Sequence, residues 1–295
     1  MAFSNHEGCD IDLLDAPSQL KQYMFIKSSL NDYCLTAYAD PPGTATYKVL
    51  NSPQTNELLD FQVWCVQMYD GGKFTIASKA APQQMMSSGS GLQSQLLRLE
   101  TNSSPAPPSQ LLWTYDAQTG AGNDGGFIKA TLLPGNVLDI VGSISSEEAQ
   151  VQLCAQNGGR NQRFSFEPIQ SYMQITGSDL VLEVDSNNVI CNTKRASNNS
   201  QLWKLMYTWT DETFQILLAT SQQLKMTCKT TDSGLSEVVV SDSSTNNLWK
   251  GDGNNVCTPN NNYLATNGNT VAGSQVILYQ PRVQPHLQLE IVPQM

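Results

Sequence analysis

Histidine is almost absent from this chain: His6 and His286, each near an end, are the whole complement among 295 residues. A Ser-His-Asp or Cys-His centre needs an imidazole beside a nucleophile, and no G-x-S-x-G context accompanies either one. Also lacking are Cys/His pairs at zinc spacing, a G-x-G-x-x-G opening a helix, and a P-loop, so neither a metal nor another cofactor is expected. Basic residues are scarce, with Lys+Arg 16 against Asp+Glu 26 and a formal net charge of −10. That balance supplies no positive field for phosphate backbones or anionic lipid, which argues against nucleic acid as a partner. No apolar run approaches the length that crosses a bilayer, and the opening MAFSNHEGCDIDLLDAP lacks a basic segment followed by an apolar core. The expectation is a cytoplasmic protein without membrane insertion, with release by a non-classical route as the alternative. Seven cysteines, an odd number without repeating intervals, do not read as a disulfide framework but as thiols in a reducing compartment.

What is present is short apolar segments punctuated by Gly, Pro, Asn and Ser, without a sustained helical period. This pattern predicts an all-β chain preceded by a short acidic N-terminal arm, residues 1–19. The segments repeat. Trp64, Trp113, Phe164, Trp203, Trp249 and, more faintly, Leu287 recur at intervals of 38 to 51 residues, with Gln or Asn shortly before most of them. Gln62, Gln110, Gln162, Gln201 and Asn247 are those amides. The halves also echo each other: Tyr23-Met24-Phe25-Ile26 matches Tyr172-Met173-Gln174-Ile175, and Phe74-Thr75-Ile76 matches Phe214-Gln215-Ile216. A duplicated three-repeat unit explains both, with domains expected at 20–169 and 170–295.

One repeat in the middle of the chain displays the pattern most fully. An acid sits within an apolar strand (Val137, Leu138, Asp139, Ile140), an alternating strand follows (Val151, Gln152, Leu153, Cys154), and Asn161-Gln162-Arg163-Phe164 closes it. This order resembles the repeat of ricin-B-type (R-type) β-trefoil lectins, whose repeats end in Gln-x-Trp or Gln-x-Phe. The resemblance covers nearly all of the chain after residue 20 and implies two tandem β-trefoil domains. A single repeat has one apolar face that it cannot bury alone, whereas three close a barrel and remove most open edges.

The resemblance further implies non-enzymatic, multivalent carbohydrate binding, with glycans ending in galactose or N-acetylgalactosamine as partners. It places one shallow pocket per repeat: an acid accepts bonds from sugar hydroxyls, an aromatic on the second strand stacks on the ring, and an amide before the Gln adds a bond. In the third repeat these roles fall on Asp139, Gln152 and Asn161, with Cys154 where the aromatic belongs. The other reading of the same residues is a turn cap and a repeat junction. The fourth repeat offers Glu183, with Asn192 and Asn199 in later loops. The sixth offers Tyr279 at the stacking position and Gln284 near the amide position. There Ala265 takes the place of the acid, so that either Asn267 substitutes or the site is dead. In the remaining repeats Thr36, Met85 or Met86, and Lys225 are expected at the acid position, which leaves those copies without a carboxylate.

Two rivals remain. β-Trefoils also act as protease inhibitors through inserted loops, for which 40–45 and 102–109 are candidates, and paired trefoils serve as cell-binding subunits of toxin complexes. A glycosidase would need paired carboxylates such as Glu147 and Glu148 or Asp179 and Glu183, and 26 acids supply such pairs by chance. A homodimer is left open.

Overall fold

The structure, a computed structural model, describes residues 20–43, 45–90, 94–104, 106–117, 125–209, 212–221, 223–230, 236–245, 247–279 and 287–294. The arm at 1–19 and Gln284 therefore lie outside the described residues. Among the described residues, twenty-four strands fall into six sets of four. The first half contains β1 (Lys21–Ser28), β2 (Cys34–Ala39), β3 (Tyr47–Ser52) and β4 (Val63–Tyr69). Next come β5 (Lys73–Ser78), β6 (Gln84–Ser87), β7 (Arg98–Thr101) and β8 (Trp113–Ala117), then β9 (Gly126–Ala130), β10 (Asn136–Ile140), β11 (Ala149–Ala155) and β12 (Phe164–Pro168). The second half repeats the scheme with β13 (Ser171–Ile175), β14 (Leu180–Asp185), β15 (Asn188–Thr193) and β16 (Leu202–Tyr207). It continues through β17 (Phe214–Leu218), β18 (Lys225–Thr230), β19 (Ser236–Ser241) and β20 (Lys250–Asp252), and finishes with β21 (Asn255–Cys257), β22 (Tyr263–Thr266), β23 (Val276–Tyr279) and β24 (Leu289–Pro293).

Pairing closes each half on itself. In the first, β1–β4–β5–β8–β9–β12 form an antiparallel ring that returns to β1. The hairpins β2–β3, β6–β7 and β10–β11 join one another across one end. The second half reproduces this with β13, β16, β17, β20, β21 and β24 as the ring and β14–β15, β18–β19 and β22–β23 as the cap. Six ring strands with three capping hairpins are the β-trefoil, formed here twice.

The repeat-ending side chains explain why the halves close. Trp64, Trp113 and Phe164 lie in the first core, and Trp203, Trp249 and Leu287 in the second, all of them buried. A buried indole must place its N–H, and each finds the same kind of acceptor on the first strand of its repeat's hairpin. Trp64 Nε1 donates to Leu35 O at 2.8 Å, Trp113 to Met86 O at 3.1 Å, Trp203 to Leu182 O at 3.0 Å and Trp249 to Met226 O at 3.0 Å. The signature thus ties ring to cap in every copy that carries a tryptophan.

The halves also hold each other. Trp209, just past β16, enters the open end of the first barrel among Phe74, Tyr115 and Phe166, at centroid distances of 5.1, 5.0 and 4.3 Å. Glu212 lies against the β4–β5 turn, accepting bonds from Gly71 N at 2.5 Å and Gly72 N at 3.3 Å. Both glycines have positive φ, and a Cβ on Gly72 would stand 3.1 Å from Trp209 O, so the turn needs glycine twice over.

Candidate functional site

The indole bonds fix the register of the acid position, because it is the residue immediately after each accepting carbonyl. That residue is Thr36, Ser87, Glu183 and Thr227 in the first, second, fourth and fifth repeats. The expectation of Met85 or Met86 and of Lys225 is corrected accordingly: Met86 and Met226 turn into the cores, and the polar positions come one residue later. Gln110 stands three residues before Trp113, not two. Two residues before Trp113 stands the buried Leu111, and Gln110 contributes its carbonyl to Ser88 N at 2.8 Å.

Where glutamine does stand two residues before the aromatic, it makes one recurring set of bonds. Gln162 Nε2 donates to Asp139 Oδ2 (2.9 Å) and Ala155 O (3.0 Å), while its Oε1 accepts from Asn157 N (2.7 Å). Gln201 does the same with Glu183 Oε2 (2.8 Å), Thr193 O (2.9 Å) and Arg195 N (2.8 Å). Gln62 reaches Thr36 Oγ1 (3.2 Å), Pro53 O (2.7 Å) and Thr55 N (3.2 Å). A neutral threonine takes this amide's bond where other repeats use a carboxylate, so the glutamine belongs to the fold whether or not the repeat carries an acid.

In the third repeat the structure brings Asp139, Gln152 and Asn161 together. Asp139 and Gln152 face each other across the β10–β11 ladder, and Gln152 Nε2 donates to Asp139 Oδ1 at 3.0 Å. Asn161, in the short turn before β12, donates from Nδ2 to Asp139 Oδ2 at 2.8 Å. Asp139 is only 4% exposed, a depth at which a carboxylate needs these donors. Among the described residues Oδ2 carries two of the three side-chain bonds and Oδ1 one. A carboxylate has about four acceptor positions, so Oδ1 keeps room for a hydroxyl donor. Cys154 faces Val137, one step farther along the ladder on the same side as Gln152.

The fourth repeat is built differently. Glu183 Oε1 accepts from Arg195 Nη2 in a short ion pair, and also from Asn198 Nδ2 and Ser200 Oγ, each at 3.4 Å. Burial tends to raise the Glu183 carboxyl, but bonds from Gln201 and Arg195 and the guanidinium charge outweigh it and hold the pKa below the usual glutamate value. Besides Gln201, the side chains that meet Glu183 are those of Arg195, Asn198 and Ser200, while Asn199 is exposed. Asn192 accepts from Thr193 N at 2.9 Å and stands at the position equivalent to Cys154. Arg195 had no signal in the sequence beyond lying a few residues before the repeat's Gln201.

In the sixth repeat Ala265 faces Ile277, and Tyr279 faces Tyr263. Asn267 lies four residues beyond Tyr263, about 13 Å along the hairpin, so Asn267 and Tyr279 do not converge. The six described cysteines are free, and burial pushes Cys34, Cys191 and Cys228 up to about 12. Among the described residues no cluster of three His, Cys, Asp or Glu is arranged for a metal, and no helix is long and apolar enough to cross a membrane.

No protein-family model matches the chain, and no curated protein sequence matches it. Solved structures similar to it include the agglutinin from Abrus precatorius, 13% identical, with a TM-score of 0.38, covering 93% of this chain and 98% of that one. Another is the C-half of an earthworm R-type lectin in complex with GalNAc, 23% identical, with a TM-score of 0.37, covering 50% of this chain and 98% of that one. A mosquitocidal holotoxin is 15% identical with a TM-score of 0.43; the match takes in 92% of this chain and 34% of the holotoxin, so the chain spans about a third of that protein's length. The fold stands on the chain's own strand pairing: two successive β-trefoils.

Proposed function

We propose that the chain is a non-enzymatic, cytoplasmic lectin whose third repeat binds carbohydrate, with galactose or N-acetylgalactosamine at the glycan end as ligand. The observation that carries this reading is the Asp139 carboxylate, oriented by Gln152, Asn161 and Gln162 with acceptor capacity left on Oδ1. An ionised acceptor makes the stronger class of hydrogen bond, about 1.5 to 3 kcal/mol, which suits a shallow polar surface facing hydroxyls. Glu183, by contrast, is already engaged by Arg195. Binding to multivalent surfaces would draw on a second site in the other half or on a homodimer, either of which raises avidity without new contacts at the first site.

A glycan array on the purified chain, run beside Asp139→Ala, tests the reading. Retention of galactose-type glycans by the parent and their loss in the variant is the expected result. An array without a hit on the parent, or equal binding by a folded variant, would overturn it. Red-cell agglutination with competing sugars, set against a protease panel, separates this reading from inhibition.

A further inference from the structure

The third-repeat site has a thiol, Cys154, where a stacking side chain would be useful, yet an apolar side chain reaches it from another direction. Residues 94–97, between β6 and β7, run antiparallel beside β11. Ser94 N donates to Leu153 O at 2.7 Å, Leu153 N to Gln95 O at 3.0 Å, and Leu97 N to Val151 O at 2.9 Å. The last two bonds flank Leu96 and Gln152, which face each other as a bridge without bonding directly through their backbones. Such pairs lie about 4.5 Å apart at Cα and present their side chains on one face. Gln152 in turn faces Asp139. Asp139, Gln152 and Leu96 therefore form a single row across three strands, with its ends about 10 Å apart.

Strand alternation separates Leu96 from its neighbour. Leu97 is buried in the first core, whereas Leu96 is 37% exposed. An exposed leucine alone is ordinary; this one stands at the open end of a row whose other end is an oriented carboxylate.

We propose that Leu96 is a specificity-determining residue of this site: a pyranose held at Asp139 and Asn161 by its hydroxyls lies over Gln152 and rests its C–H face on Leu96. The inference builds on the carbohydrate reading above. It makes the site composite, since the carboxylate belongs to the third repeat and the apolar contact to the second. An aliphatic platform also lacks the ring quadrupole of an aromatic, so it contributes burial without the directional preference of stacking.

The test is a titration of the isotopically labelled full chain with N-acetylgalactosamine, following the Leu96 methyl signals and the side-chain amides of Gln152 and Asn161. The methyl and amide signals should move together with one affinity. Leu96→Ala should weaken that affinity about fivefold, and Leu96→Trp should strengthen it. Amides that shift while the methyl signals stay still, or an unchanged affinity in Leu96→Ala, would overturn the role of Leu96 and leave the site standing. No shift in either set would overturn the site, and the inference with it.

Discussion

Trp209 stacks on Phe166 with ring centroids 4.3 Å apart, although one follows the first repeat of the second half and the other ends the last repeat of the first. The contact crosses between two closed cores, and Tyr115 and Phe74 complete the ring of aromatics around the indole. Glu212 adds a carboxylate on the Gly71-Gly72 amides three residues later.

Trp209→Ala should therefore cost about 2 to 3 kcal/mol, toward the lower end for a large aromatic because the side chain is only half-buried. Calorimetry is the check. A single cooperative transition in the parent should separate into two in the variant, each half then melting at its own temperature.

Trp203→Phe removes an indole N–H and leaves Leu182 O without its donor inside the second core. An unpaired buried carbonyl costs about 1 to 3 kcal/mol, so the urea midpoint should fall with little change in slope. The same replacement at Phe164, which already lacks the group, has no counterpart; Phe164→Trp would test whether Leu138 O accepts an added donor.

The repeats were legible in the sequence because a buried indole in this fold needs a fixed acceptor, which holds the aromatics at recognisable intervals. Within the third repeat, Asp139, Gln152 and Asn161 were legible as a group for a related reason: each sits at a set distance from Phe164. The register of the acid position in the second and fifth repeats was not legible. Met86 and Met226 look like any apolar strand residues until the bonds from Trp113 and Trp249 single out their carbonyls. Leu96 was hidden because its pairing with Gln152 joins different repeats. Trp209 did leave a sign: of five tryptophans, it alone falls outside the repeat endings.

Asp139→Asn keeps the shape of the side chain and removes its charge, while Asp139→Ala also strands the amides of Gln152, Asn161 and Gln162. Glycan affinity should drop at least about tenfold in the first variant, given the weaker neutral hydrogen bond. The second should lose binding and about 1 to 3 kcal/mol of stability together. Calorimetric titration beside urea unfolding distinguishes the two effects.

Glu183 supplies a pH prediction. Its folded pKa lies below the unfolded value of about 4.3, so its contribution to stability is complete above that pH and fades as acid carries the solution through the depressed pKa. Arg195→Met removes one of the groups that depress it. The variant should be less stable than the parent at neutral pH, and the gap should shrink in acid. Urea midpoints measured from pH 7 down to pH 3 provide the comparison.

The junction glutamines have a consequence for how such a chain diversifies. Gln62 is content with the hydroxyl of Thr36, while Gln162 and Gln201 make the equivalent bond to Asp139 and Glu183. Shape is thereby insulated from chemistry: a copy can trade its acid for an alcohol and keep its outline, leaving one lobe free to drift while its neighbour stays under selection.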